Sequence, residues 1–400
     1  MSFITNIRSV AKYESKILVR SWFFRIFTLL AVVFLGFFNF AMMLMEDNFG
    51  LWFAKSVSSN IPYLNLLLLN TGQAVVAVFL SSEFLKRDKK LDTSEVFYVR
   101  PLSNAEYVVG KIWGNLRVFL FLNLLVLAIV LAFNFMASGV TVDLPAYLIY
   151  FFLISIPTLI FIIGLSIFLM LLLKNQALTF ILLLGYIGLT LFYIQDKFYY
   201  LFDYMVYNLP LFKSTIVGFS NLELILNHRA IYFFAGLGFI FFTIFLFKRL
   251  PNARRSHYPW LFLSFCMFLL MGTAAFRHVR SILREGEMRA LYTSINNKYV
   301  YEPKMAIDYY DISVEQKSET IRSVVGMEGT ALAASEVFIF CLNPGLRVEE
   351  VKDGEKSLNF KREEQILAVD FGREIEKGDT ISFSVSYEGR IKDDFCYLDI

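Results

Sequence analysis

Few side chains in this 400-residue chain have the type and spacing that chemistry needs. Its histidines are His228, His257 and His278. A helical zinc-peptidase centre needs two histidines four residues apart with a glutamate beside the first. The imidazoles hold the metal and the carboxylate handles the attacking water. None of the three opens an H-E-x-x-H run, so the reading assigns no metal site and no catalytic residue. The phosphate cradle G-x-x-x-x-G-K-[ST] is also missing, so ATP hydrolysis of the P-loop kind would have to come from another polypeptide. No cofactor is assigned.

Functional groups gather in two other places. Segment Glu83–Lys111, EFLKRDKKLDTSEVFYVRPLSNAEYVVGK, is dense in charge and too long for a simple turn. Its candidates for contact with a soluble partner are Glu83, Lys86, Arg87, Thr93, Glu95, Arg100, Pro101, Gly110 and Lys111. Ser94–Phe97 and Asn104–Lys111 read as small helices parted by Arg100-Pro101-Leu102-Ser103, because proline disfavours helix in the residue before it. The plainer alternative is a solvated loop whose charges only set topology. The second group lies inside apolar runs: Asn39, Asn65, Asn70, Gln73, Asn123 and Asn134 can hydrogen-bond between helices or touch a substrate. Arg117 sits near the start of its run and can snorkel to the nearer face. No intramembrane carboxylate pair suggests a proton relay.

The elements that must position these residues follow from composition. The chain is 57% hydrophobic and 18% charged, with 44 Phe, which excludes a disordered chain or a single soluble globule. Basic residues outnumber acidic ones 21 to 12 up to Phe276, and the balance reverses to 17 against 23 beyond it. Seven apolar runs are long enough to cross a bilayer: Trp22–Leu44, Ile61–Ser82, Ile112–Ala137, Ala146–Leu173, Ala177–Ile194, Ala230–Phe247 and Trp260–Phe276. Continuous runs argue for helices over a β-barrel. Gly185-Tyr186-Ile187-Gly188 and Gly236-Leu237-Gly238 permit close helix packing.

Basic residues crowd the N-terminal segment, Lys86–Lys111, Lys174 and Lys248–Arg255, and thin out in the alternate loops. That alternation predicts a cytoplasmic N-terminus and, after seven crossings, an outside C-terminus. Arg277, Arg280, Arg284 and Arg289 run against the rule. Residues 1–21 read as an interfacial amphipathic helix, with Phe3, Ile4, Ile7, Val10, Ala11, Ile17 and Leu18 at helical spacing among Arg8, Lys12 and Lys16.

After Phe276 the pattern changes. Arg277–Leu291 reads as a short polar helix within a linker, 277–298. From Tyr299, alternation in Ala306–Glu315, Glu336–Leu342, Ile366–Phe371 and Thr380–Tyr387 predicts strands. Turn signals at Asn343-Pro344-Gly345 and Lys352–Glu355 separate some of them. Together these predict an antiparallel β-sandwich over 299–400. Cys341 and Cys396 fall in this part, where they could pair or remain free thiols.

Two resemblances rest on these residues. Phe84–Lys90, Thr93–Glu95, Pro101–Ser103 and Gly110-Lys111 resemble the first cytoplasmic loop of ABC-2 type transporter permeases. That likeness covers about residues 1–250, with the six-span core at 22–250 and an additional seventh span at 251–276. It implies that the loop docks on a separate ABC ATP-binding subunit and that permease subunits form a homo- or heterodimer. It also implies that the linker Gln195–Arg229 folds partly back into the outer leaflet.

The last hundred or so residues resemble the N-terminal β-domain of M1 zinc aminopeptidases, in the version fused to ABC-2-like segments in Bacteroidetes-type proteins. Leu342–Leu346, Asp353-Gly354, Phe360–Glu363, Glu376–Asp379, Tyr387–Gly389 and Cys396–Ile400 carry it. The expectation is a multi-span α-helical membrane protein with a C-terminal extracytoplasmic antiparallel β-sandwich. It would be an exporter permease subunit in a bacterial inner membrane, among membrane lipids and without nucleic acid. The alternative is a non-transporting anchor, or a fragment of a longer permease–peptidase, that presents a β-domain lacking a catalytic site.

Overall fold

The structure is a computed structural model that describes residues 3–44, 57–82, 102–136, 141–211, 213, 218–219, 221–247, 258–317, 320–392 and 395. It divides into two compact units, Met1–Val279 and Arg280–Ile400.

In the first unit α1 (Phe3–Arg20) and α2 (Trp22–Leu44) are separated only by Ser21. There follow α3 (Asn60–Ser82), α4 (Asn104–Met136), α5 (Leu144–Leu173), α6 (Gln176–Ile194), α7 (Leu222–Leu246) and α8 (Tyr258–Lys298), whose residues from Arg280 onward belong to the second unit. Among the described residues, α2 to α8 are the seven helices long and apolar enough to cross a membrane. The expected small helix Asn104–Lys111 forms the first turns of α4, with no breaker between Lys111 and Ile112. Likewise the polar stretch after Phe276 continues α8 without interruption, where the sequence reading placed a linker with its own short helix. Most residues of its first three turns form helix well, it holds no proline, and its one glycine, Gly286, is tolerated inside the helix.

Small residues set the closest helix contacts. A Cβ on Gly164 of α5 would lie 2.6 Å from the Gly236 carbonyl oxygen of α7, and one on Gly236 would lie 2.6 Å from the carbonyl carbon of Ile160. The two backbones therefore touch. Gly238 admits the ring of Phe268 from α8, whereas nothing lies within 4 Å of a Cβ on Gly185 or Gly188. Between α5 and α6, Lys174 takes a left-handed conformation with φ 54°, and the Asn175 side chain accepts from the N–H groups of Ala177 and Leu178.

The segment between α6 and α7 is irregular but not peripheral. Tyr204, Met205, Val206, Leu209 and Leu211 are buried in the helical core. Tyr63 Oη donates to the Val206 carbonyl (3.2 Å), and Tyr150 Oη donates to that of Leu211 (2.7 Å). The Asp203 carboxylate accepts from the Tyr207 and Asn208 N–H groups at 2.9 and 2.8 Å, folding the turn that aims Tyr207 at Thr71. Buried backbone outside regular structure needs such partners, and here side chains supply them.

Among its described residues the second unit holds eight antiparallel strands: β1 (Met305–Lys317), β2 (Thr320–Ala331), β3 (Ser335–Cys341), β4 (Leu346–Asp353), β5 (Lys356–Ser357), β6 (Asn359–Glu363), β7 (Ile366–Ile375) and β8 (Thr380–Gly389). They form a five-stranded sheet, β1-β2-β8-β4-β5, and a three-stranded sheet, β3-β7-β6. Phe338, Val369 and Phe371 from one sheet share a core with Val351, Phe383 and Val385 from the other. All four expected strands are present. β2, interrupted by Gly326 and Gly329, has no clean alternation to announce it.

Candidate functional site: a clamp between α1 and α4

The charged segment that singles out this chain runs directly into α4, so its last residues show how it is anchored. Glu83, Lys86, Arg87, Thr93, Glu95, Arg100 and Pro101 lie outside the described residues. Past them, Ser103 and Glu106 form a capping box: the Ser103 N–H donates to Glu106 Oε2 (2.6 Å), and the Glu106 N–H donates to Ser103 Oγ (3.1 Å). This fixes where α4 begins. Asn104 Nδ2 donates to the carbonyl of Phe247 just past α7 (2.6 Å), and the Tyr107 and Phe247 rings stack with centroids 5.5 Å apart.

Helix α1 is held against that start. Gly110 and Gly114, one helical turn apart, let the two backbones approach. A Cβ on Gly110 would fall 2.7 Å from Val10 Cβ, and one on Gly114 would fall 2.9 Å from the Ala11 carbonyl oxygen. Polar groups lock the contact. Asn6 Nδ2 donates to Glu106 Oε1 (2.9 Å), Ser15 Oγ to the Gly114 carbonyl (2.7 Å), and Arg117 to Ser15 Oγ (2.5 Å) and the Ala11 carbonyl (2.9 Å). Lys111 and Glu14 form an ion pair at 3.5 Å, each side chain only 4% exposed. Such a pair adds little net stability over an apolar contact. Removing one partner is costly, about 3–5 kcal/mol, because the other charge is left buried. So α1 and the first turns of α4 form one polar-locked body. The Gly110–Gly114 spacing was available in the sequence as a close-packing signal, whereas Glu14 as the partner of Lys111 was not.

The intramembrane candidates meet each other. Asn65 on α3 exchanges both amide bonds with Asn39 on α2, at 2.7 and 3.1 Å. Deeper, Asn70 and Gln73 of α3, Asn123 of α4 and Ser155 of α5 close a ring. Gln73 Nε2 donates to Asn70 Oδ1 (2.8 Å), Asn123 Nδ2 to Gln73 Oε1 (2.8 Å), Ser155 Oγ to Asn123 Oδ1 (2.8 Å), and Asn70 Nδ2 to Asn123 Oδ1 and Ser155 Oγ (3.2 Å each). All four are fully buried. Every amide oxygen and nitrogen in the ring has a partner within it, so the arrangement locks three helices together.

At the α7 start a second cluster holds the irregular segment. Arg229 donates to the Leu153 carbonyl (2.7 Å), the Tyr204 carbonyl (3.0 Å) and Thr158 Oγ1 (2.9 Å). His228 and His278, read separately in the sequence, stand with ring centroids 5.1 Å apart; their Nε2 atoms bond the carbonyls of Tyr200 and Tyr199. His257 lies outside the described residues.

In the second unit the residues of the turns singled out in the sequence have structural partners. Asn343 Oδ1 accepts from the Gly345 and Lys392 N–H groups, and its Nδ2 donates to the Lys392 carbonyl. A Cβ on Gly345 would collide with the Arg390 carbonyl oxygen at 1.9 Å, which is why glycine stands there. Arg362 donates to the carbonyls of Leu342 and Asn343, joining two of the motifs. Glu363 accepts from Lys298 Nζ (2.8 Å) and Tyr299 Oη (2.5 Å), which hold its carboxyl below the ordinary carboxylate range. A cavity of about 390 Å³ between the sheets has an apolar lining that includes Ile312, Met327, Phe340 and Leu367. Among the described residues no three His, Cys, Asp or Glu side chains are grouped to hold a metal ion. Among the described residues Cys341 has no disulfide partner, and Cys396 lies outside them.

No family model matches the chain, and no curated protein matches it.

Proposed function

We propose that this chain is the membrane-spanning permease subunit of an ABC-2 type exporter, driven by a separate ATP-binding subunit that docks on Glu83–Lys111. The observation that carries the reading is the α1–α4 clamp. A charged segment contacting a soluble motor can do mechanical work on a helical bundle only if the helix it feeds is tied to its neighbours. Here the capping box, the Lys111–Glu14 pair and the Gly110–Gly114 contact tie α4 to α1, and Asn104 ties it to the end of α7. A push on the segment would therefore move α1 and α4 together and reach α7.

On this reading the N-terminus is cytoplasmic, the β-domain lies outside a bacterial inner membrane, and two permease subunits assemble. The buried irregular segment between α6 and α7 accords with an element folded back toward the outer leaflet. The test is co-purification of the full chain with ABC ATP-binding subunits from its own organism. A stable complex supports the reading, and failure to bind any such subunit refutes it.

One observation favours the second reading, a non-transporting anchor for the β-domain. The side chains of the Asn70–Gln73–Asn123–Ser155 ring bond to one another across three helices rather than to a cargo. An anchor would show no ATP-dependent movement of any solute in vesicles holding both subunits.

A further inference from the structure

We infer that the exposed face of α1 is a docking surface for anionic phospholipid headgroups. Arg8, Lys12, Lys16 and Arg20 recur every fourth residue and so form one row along the helix. All four are exposed. The opposite side, with Ala11, Glu14, Ser15 and Leu18, is buried and carries the contacts to α4. Glu14 is the single acidic residue of α1, and it is buried with Lys111. The exposed face of this helix thus carries four cations and no carboxylate.

What lies among the cations separates a lipid surface from an acidic protein. Phe3, Ile4, Tyr13 and Val19 are 49–61% exposed beside the row. The row ends two residues before Trp22, which is 73% exposed at the first turn of α2. The Ser21 N–H still bonds the Ile17 carbonyl at 2.9 Å, so the end of α1 is fixed at the level where the α2 span begins. An acidic protein surface would complement the cations but not the bulky apolar side chains between them. A headgroup layer takes both: phosphates meet the cations, while lysine stems, aromatic rings and aliphatic chains reach the acyl boundary. This inference rests only on the membrane part of the function proposed above, and it stands whether or not an ATP-binding subunit docks.

The test uses the full chain with Trp52, Trp113 and Trp260 replaced by Phe, which leaves Trp22 as the sole tryptophan. It is reconstituted in phosphatidylethanolamine vesicles containing increasing brominated phosphatidylglycerol or brominated phosphatidylcholine. Bromine quenches a tryptophan it touches, so the mole fraction giving half-quenching reports which lipid gathers at the end of α1. Phosphatidylglycerol should reach half-quenching at a mole fraction about fivefold lower, the effect of roughly one surface cation. Replacing Arg8, Lys12, Lys16 and Arg20 together by Gln should abolish the difference. Exchanging Arg and Lys at the same positions should keep it, which separates charge from misfolding. Equal quenching by the two lipids in the parent chain, or a preference surviving the four Gln substitutions, overturns the inference. So does equal quenching accompanied by loss of a co-purifying protein in the Gln variant, which would make the row a protein interface.

Discussion

Arg229 donates its Nε–H to the carbonyl oxygen of Leu153, 2.7 Å away, and that carbonyl is the one Pro157 cannot serve. In an α-helix the oxygen of residue 153 would accept from the N–H of residue 157, and proline has none. The helix widens to a π-turn over Phe151–Ser155 just before this point, and the guanidinium of α7 takes the freed acceptor. The same side chain bonds Thr158 and the Tyr204 carbonyl, so one arginine joins α5, α7 and the irregular segment.

Arg229→Met should therefore lower stability by about 2–4 kcal/mol, since it strands buried acceptors. Pro157→Ala returns an N–H to Leu153 and should make the loss of Arg229 less damaging. Thermal unfolding in detergent of the two single variants and the double variant gives the coupling, expected at about 1 kcal/mol. Strict additivity would mean that Arg229 does not act through Leu153.

The α5–α7 crossing gives a paired test. Gly236→Ala puts a Cβ 2.6 Å from backbone, whereas Gly185→Ala meets nothing within 4 Å. The first should be destabilised by about 1–3 kcal/mol and lose yield in membranes. The second should match the parent or exceed it, because alanine is the better helix former. Equal behaviour of the two would contradict the backbone contact.

The buried ring predicts unequal single losses. Asn123→Leu removes both an acceptor and a donor from it and should destabilise the bundle by about 1–2 kcal/mol. Gln73→Leu made in that background should then have a smaller effect than alone, because one of its two partners in the ring is already gone. Chemical unfolding of the four combinations in micelles reads this directly.

Much of this architecture is legible in the sequence, for identifiable reasons. Apolar runs and alternating strands are local patterns, so the seven helices and β1, β3, β7 and β8 could be read without coordinates. The continuity of α8 was missed, although 277–298 holds no proline, because its change to polar composition reads as a linker. What could not be read is pairing at long range. Nothing local couples Glu14 to Lys111, His228 to His278, or Arg229 to a carbonyl freed by a proline on another helix. The segment after Ile194 lacks any period because isolated turns, its own Asp203 and side chains from the helices together satisfy its backbone. The roles of Glu83 to Pro101 rest on their types and spacing and on the clamp that follows them.

Alternating basic loops predict opposite sides for the charged loop and the β-domain. In a chain with Cys266, Cys341 and Cys396 replaced, a cysteine at Glu355 should react with an impermeant maleimide on intact spheroplasts. One at Lys89 should react only after they are opened. The reverse pattern, or equal labelling of both, would remove the N-in, C-out arrangement.

The coupling claim is tested most directly by ATP turnover of an ABC ATP-binding subunit that co-purifies with this chain, measured in vesicles with and without the chain. The chain should alter turnover severalfold. Glu95→Arg and Arg100→Glu should weaken the complex, by about 2–5 kcal/mol if the altered charge is desolvated at the interface. Glu14→Gln combined with Lys111→Met should leave the complex formed and weaken the effect on turnover only in part, because the Gly110–Gly114 contact and the bonds of Asn6, Ser15 and Arg117 still join α1 to α4. Full binding and an unchanged turnover response in both charge-reversal variants would contradict the account.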